Sequence, residues 1–193
     1  MSQCWVGDGK LFRKTEKSKF SHGGCRVAVS TNHLFALGSN YEDGYSKAEW
    51  LNIHQEIWST LPEYPYERRL FAHTQTFHDG YFYIFGGFLG LSDTNTVSRF
   101  HEESKLWSKI GKIDSIYTIL KIICLGALNH ERRAHAVIFV EDYFLVVGGG
   151  LGQLPTEKCR LQGASLSCIQ DVPYLTNYAY HPELFIVPDN FCI

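Results

Sequence analysis

An apolar run that stops on two glycines occurs twice in this chain: "YFYIFGG" at 81–87 and "YFLVVGG" at 143–149. A third, looser version, "NHLFALGS", ends on Gly38–Ser39. The spacing is 48 residues from Gly38 to Gly86 and 62 from Gly86 to Gly148. A repeat of this period decides the architecture before any single element does. Other landmarks keep the register. A tryptophan follows the first two glycine markers by 20 or 21 positions, Trp58 after Gly38 and Trp107 after Gly86. A histidine precedes the last two by 13, His73 before Gly86 and His135 before Gly148. Upstream of each histidine lies an arginine doublet, in "YERRLFAH" at 66–73 and "HERRAH" at 130–135.

Each unit of about 50 residues then holds four short strands: one after the arginines, one running into the glycines, and two around the loop before tryptophan. No helical period interrupts them. Four antiparallel strands per unit predict an all-β propeller made of blades. The set of an arginine doublet just upstream of a histidine, an apolar strand into Gly–Gly, and tryptophan some twenty positions later resembles the kelch repeat. The resemblance covers roughly residues 20–187, with 1–19 left as a separate N-terminal segment and 20–193 as a partial propeller.

The landmarks are building parts. Inner strands crowd as blades taper, so Gly38, Gly86, Gly87, Gly148 and Gly149 let backbone bend where a side chain would clash. Trp58 and Trp107 offer flat surface to fill the space between blades. Arg69 and Arg133 are expected to bond carbonyls or a carboxylate at the strand entrance.

Three features depart from the pattern. Kelch rings close with about six blades, which needs roughly 300 residues. The 193-residue chain therefore reads as a fragment of about three blades plus terminal strands, or as a partial propeller that associates with another chain. The interval before Gly148 carries an apolar insert at about 111–128, readable as a lip over the binding face or as unselected sequence. In the last unit, 20 positions after Gly148, Cys168 stands where tryptophan is expected. Cys159 and Cys168 fall on facing positions of a hairpin turning at 163–165. They suit a cross-strand disulfide and an oxidising compartment, or two small buried packers in a cytoplasmic blade. Extracellular is the first reading of location and cytoplasmic the alternative. "PELFIVPDNFC" at 182–192 supplies one more inner strand.

Several chemistries find no support. The formal charge of −2 gives no basic footprint for nucleic acid. The opening "MSQCWVGDGK" has no apolar leader core, and the longest apolar stretch, 116–128, carries Lys121 and is too short to span a bilayer. Nine histidines form no ligand spacing for a metal. "GGGLG" at 148–152 lacks the Lys–Ser/Thr of a phosphate loop. No cofactor is implied.

The expected function is a non-catalytic protein-interaction module. The loops after the glycine pairs and the connections between blades open on one face, and they carry Tyr41, Asp43, Tyr45, Tyr64, Phe88, Leu91 and Asp93. The resemblance implies two alternatives. One is a substrate adaptor of a ubiquitin ligase, which needs a BTB region. The other is a copper radical oxidase, which needs a tyrosine, histidines and a cysteine gathered across blades. The partner is a protein of unknown identity.

Overall fold

The computed structural model describes residues 5–7, 11–65, 69–110, 127–149, 154–163 and 165–172. The strands are β1 (Trp5–Gly7), β2 (Phe12–Lys14), β3 (Val27–Val29), β4 (His33–Leu37), β5 (Ala48–Asn52), β6 (Ile57–Thr60), β7 (Leu70–Phe71), β8 (Thr74–His78) and β9 (Tyr81–Phe85). They continue as β10 (Phe88–Leu89), β11 (Ser92–Asp93), β12 (Val97–His101), β13 (Trp107–Ile110), β14 (Ala136–Val140), β15 (Tyr143–Val147), β16 (Thr156–Gln162) and β17 (Ser165–Val172).

Three four-stranded antiparallel sheets form the blades, in the orders β3-β4-β5-β6, β8-β9-β12-β13 and β14-β15-β16-β17. The innermost strands β3, β8 and β14 lie side by side in sequence order. This is the up-and-down blade of a propeller. Within each described blade the glycine marker ends the second strand, as the repeat predicts. Residues 111–126 of the insert expected at about 111–128, and the inner strand expected at 182–192, lie outside the described residues.

The middle blade explains why "YFYIF" does not alternate. Phe82 and Ile84 face the first blade while Tyr83 and Phe85 face the third, and all four are buried. A strand covered on both faces reads as a continuous apolar run. The two cores are aromatic. Phe35 lies 4.7 Å from Phe82 and 5.5 Å from Phe100, ring centroid to centroid, across the first junction. Phe144 lies 5.0 Å from Tyr83 and 5.1 Å from Phe85 across the second.

The paired glycines have separate duties. The first clears the neighbouring blade: a Cβ on Gly86, at φ +53°, would sit 2.5 Å from the Arg132 carbonyl oxygen. The second clears its own inner strand: a Cβ on Gly87 would meet the His73 Cβ at 2.7 Å. That contact also explains why a histidine keeps a fixed distance from each pair.

A belt of hydrogen bonds joins the blades at this end. Ala72 N–H donates to Gly24 O at 2.6 Å, and Ala134 N–H donates to Ala72 O at 2.7 Å. All three belt residues have left-handed backbone, with φ of 73° at Gly24, 51° at Ala72 and 52° at Ala134. Alanine there carries a cost of about 1–2 kcal/mol that glycine avoids. Ala72→Gly is therefore expected to raise the urea midpoint despite the added freedom of the unfolded chain, and a lowered midpoint would contradict this account.

Cys159 and Cys168 pair directly across β16–β17 and are joined by a disulfide. The bond lies in the core toward the second blade, where Trp107 lies in the blade before. It closes a short loop of nine residues' separation, for which chain entropy gives about 2–3 kcal/mol. Reduction should lower the unfolding free energy by that much, and an unchanged midpoint in reductant would refute the contribution.

Candidate functional site

A small third layer caps the end of the blades where the glycines lie. The connection into the second blade gives β7, and the loop after Gly87 gives the hairpin β10–β11, so that β7, β10 and β11 form one three-stranded sheet. The connection entering the second blade and a loop within that blade are thereby held in one sheet.

Arginines and aromatics interleave on it. The Arg69 guanidinium stacks over Phe71 at 4.5 Å and stands 6.0 Å from the Tyr45 ring. Phe71 and Phe88 lie 5.1 Å apart. The Arg133 guanidinium then lies 5.3 Å from Phe88. Such stacking fixes a guanidinium without using its hydrogen bonds. The Nε atoms of both Arg69 and Arg133 are buried and make no hydrogen bond among the described residues. Asp93 stands beside Arg133 with 3.4 Å between carboxylate and Nε, half-buried on both sides. At the rim, Leu91 is 95% exposed and Tyr41 60% exposed. Asp43, also exposed, ties down Ser21 through its N–H at 3.2 Å and hydroxyl at 2.9 Å.

The structure thus gathers Tyr45, Phe88, Asp93, Arg69 and Arg133, with Leu91 on the same hairpin. Tyr64 is different. It was expected in a recognition loop, yet it is 4% exposed, with its ring 5.1 Å from Trp107 and its hydroxyl 2.9 Å from Ser98 Oγ. It is a core residue of the first junction, because the chain turns inward after Pro62 to cover Trp107.

The second arginine of each doublet was expected to bond carbonyls or a carboxylate at the strand entrance. In the third blade the first arginine does so. Arg132 is fully buried and donates to Gly148 O at 2.8 Å, Pro155 O at 2.9 Å and the Glu157 carboxylate at 2.6 Å. Arg133 points away from that slot, toward Phe88 and Asp93. The first blade fills the same slot with His22, whose Nδ1 faces Gly38 O at 3.1 Å and whose Nε2 faces Glu49 at 3.0 Å. Both ring nitrogens meet acceptors, so the imidazole is held protonated. Burial opposes that charge, but Cys25, Glu49 and the Gly38 carbonyl outweigh it and push the ring up to about 9.

Two histidines have the opposite environment. His73 is pushed down to about 3 by burial and by the charge on His22. Burial, then Arg132, His73 and Arg26, holds His135 well below the ordinary range. Both stay neutral in the fold while the unfolded chain takes up protons below about pH 6.5. Their stability contribution is full above that pH and is lost as pH falls, for His73 toward about 3. Each costs about 1.4 kcal/mol per pH unit inside the window. Between pH 6.5 and 5 the urea midpoint should fall, and less steeply in His73→Gln. An equal slope in the variant would refute the assignment. His22 works the other way: its contribution is complete below pH 6.5 and is lost as pH rises through about 9.

Trp107 is half-buried at the first junction and donates its indole N–H to Pro62 O at 2.9 Å. Trp58 donates to Glu16 O at 3.1 Å. The nearest grouping of metal-ligand types among the described residues is Glu157 with Cys159 and Cys168, an ion-paired carboxylate beside a disulfide. It leaves no free donor set. Among the described residues no helix is long and apolar enough to cross a membrane.

Comparison with protein families matches the Kelch motif to residues 72–112, which is the second blade from its inner-strand entrance through β13. No curated protein matches the chain. With that match on the middle blade and the same four-stranded construction in the blades on either side, the described residues build three blades of a partial kelch-type β-propeller.

Proposed function

We propose that the chain is a non-catalytic recognition module that binds an extended protein segment carrying carboxylates on the Arg69–Arg133 face. One observation carries the reading: two guanidinium groups are fixed over Phe71 and Phe88, and among the described residues only Arg133 has a carboxylate beside it, Asp93 at 3.4 Å. A guanidinium held in place by stacking is set to make charge-assisted, bidentate hydrogen bonds to a carboxylate. Asp93 supplies charge to only one side of the cluster. Leu91 and Tyr41 add exposed apolar and aromatic surface at the rim, the composition of a recognition patch. The Cys159–Cys168 bond favours work in an oxidising, extracellular setting.

Panning a random peptide library against the chain tests this. Acid-bearing peptides should be enriched, and Arg69→Glu with Arg133→Glu should abolish their binding while circular dichroism shows the blades still folded. Selected peptides that lack acids, or that bind the charge-reversed variant equally, would refute the reading.

A further inference from the structure

The two buried histidines lie on the chain segments that carry the two arginines of the proposed recognition face. His73 follows Arg69, Leu70, Phe71 and Ala72, and His135 follows Arg133 and Ala134. Both side chains are buried. Both pack against the glycine pair from which the β10–β11 hairpin starts. A Cβ on Gly87 would stand 2.7 Å from the His73 Cβ, and one on Gly86 would stand 2.9 Å from the His135 Cε1. Gly87 leads directly into Phe88, so a single turn abuts both histidines and sets the aromatic centre of the face.

Backbone bonds tie the same residues together. Gly87 N–H donates to Arg132 O at 2.7 Å, Gly90 N–H to Arg69 O at 2.8 Å and Thr94 N–H to Gly87 O at 2.9 Å. The Ala134 N–H bond to Ala72 O joins the two histidine segments. The cap strands β7, β10 and β11 have two residues each, against three to eight in the blade strands. A unit with so few ladder bonds opens at lower free energy than the four-stranded sheets behind it.

Beyond burial itself, the charges acting on the two rings are positive. His22, from the connection ahead of the first blade, acts on His73. Arg132, His73 and Arg26 act on His135. The carboxylates of the surrounding strands are each held by another cation: Glu49 on β5 by His22, Glu157 on β16 by Arg132, and Asp93 on β11 by Arg133. A further positive charge is accommodated in this layer only when the layer opens to water.

We propose that proton uptake by His73 and His135 opens the cap sheet, so that the Arg69–Arg133 face holds its protein partner at neutral pH and releases it in mildly acidic surroundings. This rests on the recognition reading given above. What is lost on opening is the fixed placement of Arg69 over Phe71 and of Arg133 beside Phe88, while the blades stay folded.

Amide hydrogen exchange, corrected for its intrinsic pH dependence, tests the opening without any ligand. Two imidazoles that take up protons only in the open form favour opening by about 100-fold more at pH 5.5 than at pH 7.5. Protection over residues 87–94 should fall by about that factor and stay below that of β4 and β5 at both pH values. His73→Gln and His135→Gln should each reduce the fall to about 10-fold. Cap protection that ignores pH, or that equals the protection of β4 and β5, overturns the proposal. A hexa-aspartate peptide, ionised across this range, tests release. Its Kd should rise at least tenfold between pH 7.5 and 5, although protonation of surface groups alone would tighten the binding of an acid. A Kd that stays level or falls overturns the proposal. Binding at neither pH would instead refute the recognition reading, and the exchange result would then decide the opening alone.

Discussion

Arg132→Met is expected to remove about 3–5 kcal/mol of unfolding free energy. Arg132 and Glu157 are both fully buried, and the guanidinium also holds the Gly148 and Pro155 carbonyls. Deleting the arginine leaves a carboxylate in the core with, among the described residues, only the Asn129 and His130 N–H groups for company. The cost is dominated by that stranded charge rather than by the lost attraction. Arg132→Met combined with Glu157→Leu should therefore recover much of the loss. The second blade shows that the slot tolerates a neutral arrangement, with Ser98 at the carboxylate position bonded to the Tyr64 hydroxyl. Urea unfolding of the two variants checks this, and additive losses in the pair would overturn the explanation.

Trp107→Ala should cost about 3 kcal/mol. The ring lies 4.9 Å from Phe100, 5.1 Å from Tyr64 and 6.1 Å from Phe35, so it touches both sides of the first junction. Its removal opens a void between blades and frees the Pro62 carbonyl. Cys168 in the corresponding place should show a different response: loss of its disulfide acts on the unfolded chain more than on junction packing. A Trp107→Ala midpoint equal to wild type would mean that the junction closes without it.

The blades were legible because their signals are backbone requirements. Gly86 and Gly87 each sit against atoms that would collide with a Cβ, so the chain must repeat glycine wherever a blade repeats. The Cys159–Cys168 pairing was readable for a similar reason, since the hairpin turn fixes which residues oppose. Side-chain direction was harder. In "ERR" nothing in the sequence says which arginine turns inward, and only the buried Glu157 decides for Arg132. Tyr64 lies in a proline-flanked connection that reads as surface, and its burial depends on Trp107 and Ser98, far along the chain. The β1–β2 hairpin gave no periodic signal, because each of its strands has three residues.

A photo-crosslinking amino acid placed at Leu91, the most exposed apolar position of the cap, tests recognition on the Arg69–Arg133 face most directly. The same group at Ile57, exposed on an outer strand, serves as the comparison. With both variants expressed in the native source and irradiated, Leu91 should yield one discrete protein adduct that vanishes with Arg69→Glu and Arg133→Glu. Ile57 should yield none of that mass. An adduct formed equally at Ile57, or one at Leu91 that survives both charge reversals, would contradict the account.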